Sequence, residues 1–344
     1  MNKPILVLKL GTASITTSKG ELDEGVIADV AAQVAKLAKD YRLILVSSGA
    51  VAAGKQYLKS YKGKISERKA AAAIGNPILL NTYSKHFHPY GIQMAQSLCE
   101  RRHFSNRTQF LQLKDTYEEL WKNGVIPIAN ENDVVSDLEL KFSDNDELAT
   151  LLGVGFGASL ILLGTSVPGV LDKDGKVIDK IDSINSDVFS LANKKTSDLG
   201  LGGMVSKLTF AHLASTMGIK VVIFGIRTVN GILDAVQEKT GTSCTPKNCS
   251  ISARNKWLAS GSLVTGRLMV DEGACEAIRK RKSLLAVGVV AVVEQFGNGE
   301  IFEVIDAEKN IVALARAKES SAAILKDSKQ HNLEIANASD IVIL

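Results

Sequence analysis

Short apolar segments of strand length alternate with longer alanine-rich segments through the first three-quarters of this 344-residue chain. The strand-like segments are rich in Ile, Leu and Val and are flanked by turn residues: 5–8, 43–46, 125–129, 160–163 and 221–224. Helical patterns separate them, as at 26–39, 67–83 and 204–217. The alternation predicts an α/β fold of βαβ units, in which an open, mostly parallel sheet is sandwiched by helices.

The last quarter of the chain follows a different pattern. Between residues 241 and 262 the periodicity gives way to Gly, Thr, Ser, Pro and Asn, which favour loops over helices and strands. After it come one helical segment and then three strand-like segments: 272–282, 285–293, 301–305 and 311–315. We therefore expect two domains, residues 1–255 and a small β-rich domain of residues 256–344.

Composition narrows the classes of function. Apolar residues make up 45% of the chain and charged residues 23%, which is ordinary for a soluble globular protein. The net charge of +4 is too small to indicate a nucleic-acid partner by itself. Four scattered cysteines without a CxxC pair predict reduced thiols and no metal site. The apolar run before Lys9 is too short for a signal peptide or a membrane span, so we expect a cytoplasmic protein with no membrane partner.

Two short clusters that mix amides with acids are the most informative polar features of the sequence. They are 130–133 (Asn-Glu-Asn-Asp) and 143–146 (Ser-Asp-Asn-Asp). A bare cation needs only carboxylates, whereas Asn and Asp together supply both donors and acceptors. That mixture suits a small zwitterion with an ammonium and a carboxylate. The second cluster opens a helix, so its alternative interpretation is a plain capping box of Ser143 and Asp146.

Further polar residues stand where the predicted strands end. Lys9 ends a strand that should otherwise be buried, so its ammonium must reach either an anion or solvent. Residues 47–49 (Ser-Ser-Gly) precede a helix, as an anion site or as an ordinary N-cap, and 164–166 (Gly-Thr-Ser) end another strand. Ligands of parallel sheets bind beyond the carboxyl ends of the strands. These segments and the first amide–acid cluster therefore predict one shared site.

A glycine-rich segment, 199–207 (Leu-Gly-Leu-Gly-Gly-Met-Val-Ser-Lys), opens a later helix. It matches neither a Walker A loop nor a dinucleotide fingerprint. Glycines before a helix, with Lys207 in its first turns, favour a loop that cradles phosphates. With Lys9 this gives two lysines and an amino-acid pocket. Phosphoryl transfer depends on such positive charge and on positioning, so the sequence fits that chemistry.

In this order, the motifs resemble the amino-acid kinase family over about residues 1–255. The resemblance is carried by 9–12 (Lys-Leu-Gly-Thr), 48–50 (Ser-Gly-Ala), 130–133, 144–146 (Asp-Asn-Asp), and 202–204 (Gly-Gly-Met) with Lys207. Residues 270–274 (Val-Asp-Glu-Gly-Ala) resemble the PUA domain appended to many bacterial members. The resemblance implies ATP-dependent phosphorylation of the γ-carboxylate of L-glutamate, the first step of proline synthesis, with feedback inhibition by proline.

The resemblance also implies a role for each residue of the site. Lys9 and Lys207 would stabilise charge on the transferring phosphoryl group, and Asp144 would hold these lysines in place. The residues implied to bind glutamate are Ser48, Asp133 and Asn145.

The ATP contacts implied by the resemblance fall on both lysine-bearing segments and on one strand end. They are Lys9, Thr165, Ser166, Leu201, Gly202, Gly203, Met204, Val205, Ser206 and Lys207. Mg²⁺ would be held largely by phosphates and water, with no metal ligands from the protein. Three residues depart from the usual pattern: Ser166 replaces an acid, Leu201 replaces a hydroxyl residue and Ala13 replaces Ser. The first two predict weaker ATP affinity.

Two alternative functions remain open at this point. One is an acyl-phosphate kinase of the same fold that uses aspartate, N-acetylglutamate or carbamate. An N-acetylated substrate has no ammonium, so it would leave an acid such as Asp133 unused. The other is a non-catalytic sensor that binds proline or glutamate and signals through the C-terminal domain. The presence of Lys9, Asp144 and Lys207 argues against the sensor.

The expected partners are small molecules and other proteins. We expect a homo-oligomer, and the lability of γ-glutamyl phosphate suggests hand-over to the reductase that follows. Residues 265–344 carry ten Lys and Arg against twelve Asp and Glu, which argues against RNA as a partner. The basic run 279–282 is then a solvated helix face. For the PUA-like domain we expect a structural or regulatory role.

Overall fold

The chain forms two compact units in the computed structural model. The first comprises Met1–Glu100 with Gln112–Cys249, and the second comprises Arg101–Leu111 with Ser250–Leu344. The structure describes residues 3–105, 107–135, 144–193, 203–247, 264–298, 300–326 and 333–343. The predicted domain boundary near residue 255 lies outside these ranges and stays a prediction.

Strands and helices alternate through the first unit as the sequence predicts. The ranges that follow cover both units. The strands are β1 (Ile5–Leu10), β2 (Arg42–Ser47), β3 (Gln93–Cys99), β4 (Val125–Glu131), β5 (Leu160–Thr165), β6 (Lys180–Ile181), β7 (Lys220–Gly225), β8 (Thr242–Cys244), β9 (Val264–Val270), β10 (Leu284–Leu285), β11 (Val289–Glu294), β12 (Ile301–Ile305), β13 (Ile311–Arg316), β14 (Glu334–Ala336) and β15 (Ile341–Ile343). The helices are α1 (Thr12–Ile15), α2 (Glu24–Leu37), α3 (Ala50–Lys55), α4 (Ile65–Phe87), α5 (Arg102–Ser105), α6 (Arg107–Lys122), α7 (Asn145–Phe156), α8 (Ser186–Asn193), α9 (Gly203–Thr216), α10 (Gly231–Val236), α11 (Glu272–Arg279) and α12 (Ser321–Lys326).

The first unit is built on a mostly parallel sheet, which confirms the predicted fold class. Over the described residues its eight strands run in the order β3-β4-β2-β1-β5-β7-β8-β6. The β7–β8 pair is antiparallel, and the pairs from β3 to β7 are parallel. The buried aliphatic side chains of β1, β2 and β5 form its core with α2 and α4, as expected from strands with few polar residues.

The register of the sheet brings the predicted polar segments together. Lys9 of β1 lies beside Val46 of β2 and Leu163 of β5. Val46 in turn lies beside Ala129 of β4. The residues just past this row belong to the Ser48, Asn130 and Thr165 segments. Parallel pairing therefore places these segments at one edge of the sheet, where ligands of such sheets bind.

Helices α3 and α4 touch backbone to backbone. A Cβ on Gly54 would lie 1.9 Å from the carbonyl oxygen of Ala71, and one on Gly75 would lie 1.7 Å from that of Ala50. Both positions therefore require glycine. This contact fixes the turn of α4 that carries Asn76 beside the helix that follows Ser48.

The second unit has a core of its own. Its five-stranded sheet has the order β11-β9-β12-β13-β15, and β10 pairs with β14. Phe296 and Phe302 stack with ring centroids 4.3 Å apart inside this core. The five-stranded sheet confirms the predicted β-rich C-terminal region, and the helix predicted near 272–282 is α11. No helix within the described ranges has the length and apolar character that a membrane crossing requires.

Candidate active site

A cavity of about 580 Å³ opens at the carboxyl ends of β1 and β5. Nine of the residues predicted for the site line it: Lys9, Ser48, Asp144, Asn145, Thr165, Ser166, Gly203, Met204 and Lys207. They come from five segments that are far apart in the sequence. The structure therefore brings the predicted lysines, the amide–acid segment and the glycine-rich helix start into one pocket.

Asp146 lies between the two lysines. Its Oδ1 is 2.6 Å from Lys9 Nζ, and its Oδ2 is 2.9 Å from Lys207 Nζ. Lys207 Nζ also donates to the carbonyl oxygen of Gly203 at 3.3 Å. Asp146 is fully buried, and the lysines are only 4% and 8% exposed. Each ammonium has three donors, so both keep hydrogen-bonding capacity for a further acceptor.

This ionic cluster carries a net charge of +1 when its three groups are ionised. Burial lowers the pKa of Lys9 from its ordinary value, and the positive charge of Lys207 lowers it further. The carboxylate of Asp146 opposes both effects and raises that pKa, and the charge of Asp144 acts in the same direction. Buried charge is costly unless it is compensated. Two buried ammonium groups that face a cavity and keep unused donors thus favour an anionic ligand.

Asp144 does not occupy the place that the sequence analysis gives it. Its carboxylate is the N-cap of α7, where Oδ1 accepts from the backbone N–H groups of Asp146 and Glu147 at 2.8 and 3.2 Å. Its Oδ2 accepts a hydrogen bond from the hydroxyl of Ser206 in α9. The carboxylate that contacts both lysines is Asp146. Asp144 instead fixes the start of α7 and ties it to α9, which carries Lys207.

A backbone N–H group determines the orientation of the amide side chains, that is, which atom of each amide faces which partner. The N–H of Glu131 donates to Asn130 Oδ1 at 2.9 Å, and Asn145 Nδ2 donates to the same oxygen at 2.9 Å. Asn145 Nδ2 also donates to Ser48 Oγ at 2.8 Å. With both its amide protons used, Asn145 can offer a ligand only its Oδ1, which is buried and accepts no hydrogen bond within the described part of the chain. Ser48, as an acceptor here, keeps its proton to donate.

Some predicted residues stay outside this arrangement. Asp133 follows β4, is half-buried and does not line the cavity that the described residues form. Val205 and Ser206 do not line it either, although Ser206 contacts Asp144. Leu201 and Gly202 lie outside the described residues. For these five positions, ligand contact remains a prediction.

Sequence reasoning missed two contributors. The sequence analysis gives Asp146 only a part in a possible capping box with Ser143, although one signal indicates more: an acid directly before a helix is an N-cap, so its carboxylate is used by the backbone. That leaves the next acid in the segment free to contact the lysines. Asn130 was one residue of a cluster, and its bond to Asn145 spans 15 residues, so no local pattern indicates it.

The comparisons with known proteins agree with this fold. Residues 4–225 match the model of the amino acid kinase family, and residues 266–338 match that of the PUA domain. The first match covers well over half of the chain. The chain belongs to the amino acid kinase family.

Two similar proteins show to which group of that family the chain belongs. Glutamate 5-kinase of Vibrio vulnificus is 34% identical over 341 residues, which cover 96% of this chain and 90% of the relative. Glutamate 5-kinase of Caldanaerobacter subterraneus is 36% identical over 347 residues, covering 96% and 92%. Within its family, the chain therefore groups with the glutamate 5-kinases.

Solved structures agree on the fold. Carbamate kinase from Giardia lamblia, bound to AMP-PNP, is 17% identical to this chain with a TM-score of 0.52. The match covers 71% of this chain and 99% of that one. At this identity the likeness shows a shared fold.

Proposed function

We propose that this chain catalyses the ATP-dependent phosphorylation of the γ-carboxylate of L-glutamate. The observation that carries the proposal is the buried cluster in which Asp146 bridges Lys9 and Lys207, beside a pocket lined by Ser48 and Asn145. The glutamate 5-kinases that match it over nearly their whole length support the same reaction.

The polar groups of the pocket complement the zwitterionic end of an amino acid. The hydroxyl of Ser48 has a proton to donate to the α-carboxylate, and Asn145 Oδ1 is an acceptor for the ammonium. Asp133 remains a proposed second partner of the ammonium. An N-acetylated substrate would present no ammonium to Asn145 Oδ1, so the pocket favours a free amino acid.

The lysines supply the charge that the transfer needs. An oxygen of the γ-carboxylate attacks the γ-phosphorus of ATP, the bond to the bridging oxygen of ADP breaks, and the products are γ-glutamyl phosphate and ADP. Lys9 and Lys207 stabilise the negative charge on the phosphoryl oxygens. Asp146 holds the two ammonium groups in place, and the bond from Ser206 to Asp144 fixes α9 against the start of α7.

The nucleotide would occupy the same cavity. Thr165, Ser166, Gly203 and Met204 line it and are proposed to contact ATP together with the glycine-rich residues that precede α9 in the sequence. The described residues contain no group of three His, Cys, Asp or Glu that could hold a metal ion. As the family resemblance implies, we propose that Mg²⁺ arrives with the nucleotide and is held by phosphate oxygens and water.

Other features of the proposal follow from the family resemblance alone. They are feedback inhibition by proline, a place in proline synthesis, a homo-oligomeric state, a cytoplasmic location and hand-over of the labile product to a reductase. Cys99, Cys244 and Cys275 are free and buried, which is consistent with a reducing compartment.

Hydroxylamine trapping of the acyl phosphate tests the proposed function. Purified protein with ATP and Mg²⁺ is supplied separately with glutamate, aspartate, N-acetylglutamate, or bicarbonate plus ammonia. The expected result is hydroxamate and ADP in equal amounts with glutamate, and little with the other substrates. ATP turnover without glutamate-dependent hydroxamate would overturn the proposal.

A further inference from the structure

Asn76 of α4 lies behind the amide network of the pocket. It is 4% exposed, and its Oδ1 accepts a hydrogen bond from Asn130 Nδ2 at 3.2 Å. The two residues are 54 positions apart in the sequence, and neither lines the cavity. Helix α4 is held here by the close contact of Gly75 with Ala50. Asn76 is therefore held in place by its helix, and it contacts Asn130, which in turn contacts Asn145.

The hydrogen bonds form a chain with one permitted direction. The backbone N–H of Glu131 can only donate, so the atom of Asn130 that it contacts must be the carbonyl oxygen. The amide nitrogen of Asn130 then points the other way, to the Oδ1 of Asn76. The same Asn130 oxygen requires a donor from Asn145, which is Nδ2. Each bond depends on the orientation of the amide before it.

An ordinary packing role does not explain an amide at position 76. Its Nδ2 is buried without a hydrogen-bond partner among the described residues, so the side chain makes one side-chain hydrogen bond while burying two polar atoms. An apolar side chain of similar shape would avoid the cost of the unpaired donor. What an apolar residue cannot provide is the acceptor that orients Asn130.

We propose that Asn76 is a positioning residue that acts through Asn130 to hold the amide of Asn145 with its carbonyl oxygen available to the substrate ammonium. The inference rests on the proposed function, because the ammonium belongs to glutamate. Without the Asn76 acceptor, the amide nitrogen of Asn130 loses its partner. The Asn130 side chain can then rotate and break its hydrogen bonds with Glu131 and Asn145. The amide of Asn145 can then turn either its oxygen or its nitrogen towards the substrate, and the preference for an ammonium group is lost.

The test compares glutamate with glutarate, which has the same two carboxylates and no ammonium. We measure kcat/KM for both by hydroxamate trapping in the wild type, Asn76→Leu and Asn76→Asp. The Leu variant keeps the branched shape without the acceptor, whereas the Asp variant keeps an acceptor oxygen. Asn81→Leu is the matched control, since Asn81 is an exposed asparagine on the same helix. The ratio of the two kcat/KM values does not depend on the fraction of folded enzyme.

The expected result is a fall in the glutamate-to-glutarate ratio of about tenfold in Asn76→Leu, the size of one ordinary hydrogen bond. The loss should appear in the KM for glutamate, with the KM for ATP unchanged. Asn76→Asp should retain most of the wild-type ratio, and Asn81→Leu all of it. Asn76→Ala gives the same readout if the Leu variant does not fold.

Two results would overturn the inference, and they differ in what else they overturn. A wild-type enzyme that forms hydroxamate with glutamate, combined with an unchanged ratio in Asn76→Leu and Asn76→Ala, removes the positioning role and leaves the proposed function standing. A wild-type enzyme that forms no glutamate-dependent hydroxamate removes the proposed function and this inference together.

Discussion

Both units of the molecule contain ion pairs between lysine and a carboxylate, but one cluster in the first unit is buried, whereas a pair in the second is exposed to solvent. In the first, Lys9 and Lys207 share the carboxylate of Asp146 below the surface. In the second, Lys280 pairs with Glu276 at 3.0 Å, and both side chains are more than half exposed. The surface pair needs no functional explanation, because exposed ion pairs contribute only about 0–1 kcal/mol to stability.

The buried cluster is different because desolvation is expensive. Removing charges from water costs several kcal/mol per ion, and mutual attraction repays it only with good geometry. Here two buried ammonium groups share one carboxylate in direct contact, and both keep donors for a further acceptor. A fold selected for stability alone has little use for buried ammonium groups with unused donors. The proposed binding of an anion at the buried cluster accounts for this difference between the units.

The largest effect is expected from Lys207→Met. Loss of one ammonium should lower kcat by about 10²–10³-fold, the usual loss when one donor to a charged transition state is removed. The variant should stay folded with an unchanged or higher thermal midpoint, since Asp146 keeps Lys9 and a like charge is gone. Hydroxamate assays and thermal denaturation measure the two quantities. A kcat within tenfold of wild type would contradict the role of Lys207.

Asp146→Asn probes the stability side of the comparison. It leaves two buried ammonium groups without their carboxylate, which should lower the free energy of unfolding by about 3–5 kcal/mol. The matched control is Glu276→Gln, which removes the acid of the exposed Lys280 pair and should change stability by less than about 0.5 kcal/mol. Urea denaturation compares the two, and equal losses would show that burial does not distinguish the pairs.

The pH dependence of Asp146→Asn sharpens this prediction. The folded-state pKa of Lys9 is below its unfolded value of 10.5, mainly because the side chain is buried. Between the two values the unfolded chain binds the extra proton, so this group makes stability rise with pH in that window. Loss of Asp146 lowers the folded-state pKa of Lys9 further. The pH range in which stability rises with pH should therefore extend to lower pH. An identical pH dependence of unfolding in both proteins would exclude the coupling.

The smallest effect is expected at the nucleotide. The substitutions Ser166→Asp and Leu201→Thr restore residue types usual in the family and should lower the KM for ATP a few-fold. The KM for glutamate should not change, because Ser48 and Asn145 are untouched. Steady-state kinetics of the double variant measure both, and an unchanged KM for ATP would mean that the two departures do not weaken nucleotide binding.

Much of the fold could be predicted from the sequence because its signals are local. Apolar runs identified β1, β2, β4, β5 and β7, which lie inside the sheet. The sequence does not predict the edge strand β3, because Gln93, Gln96 and Ser97 interrupt its apolar residues and leave no apolar run.

The site was predicted less completely because its decisive contacts are not local. The lysines and Asn145 follow from motifs, but the choice between Asp144 and Asp146 depends on which acid caps α7. The bond from Asn130 to Asn76 joins a strand end to a helix interior, and no pattern within either segment indicates it.

The central claim is that the Asp146-centred cluster transfers a phosphoryl group to glutamate. Its most direct test is the rate of hydroxamate formation at saturating ATP and glutamate, measured side by side for the wild type and Asp146→Asn. The account predicts glutamate-dependent hydroxamate from the wild type and a rate at least about 100-fold lower from the variant, since its lysines are no longer held. Equal rates from the two proteins would contradict it.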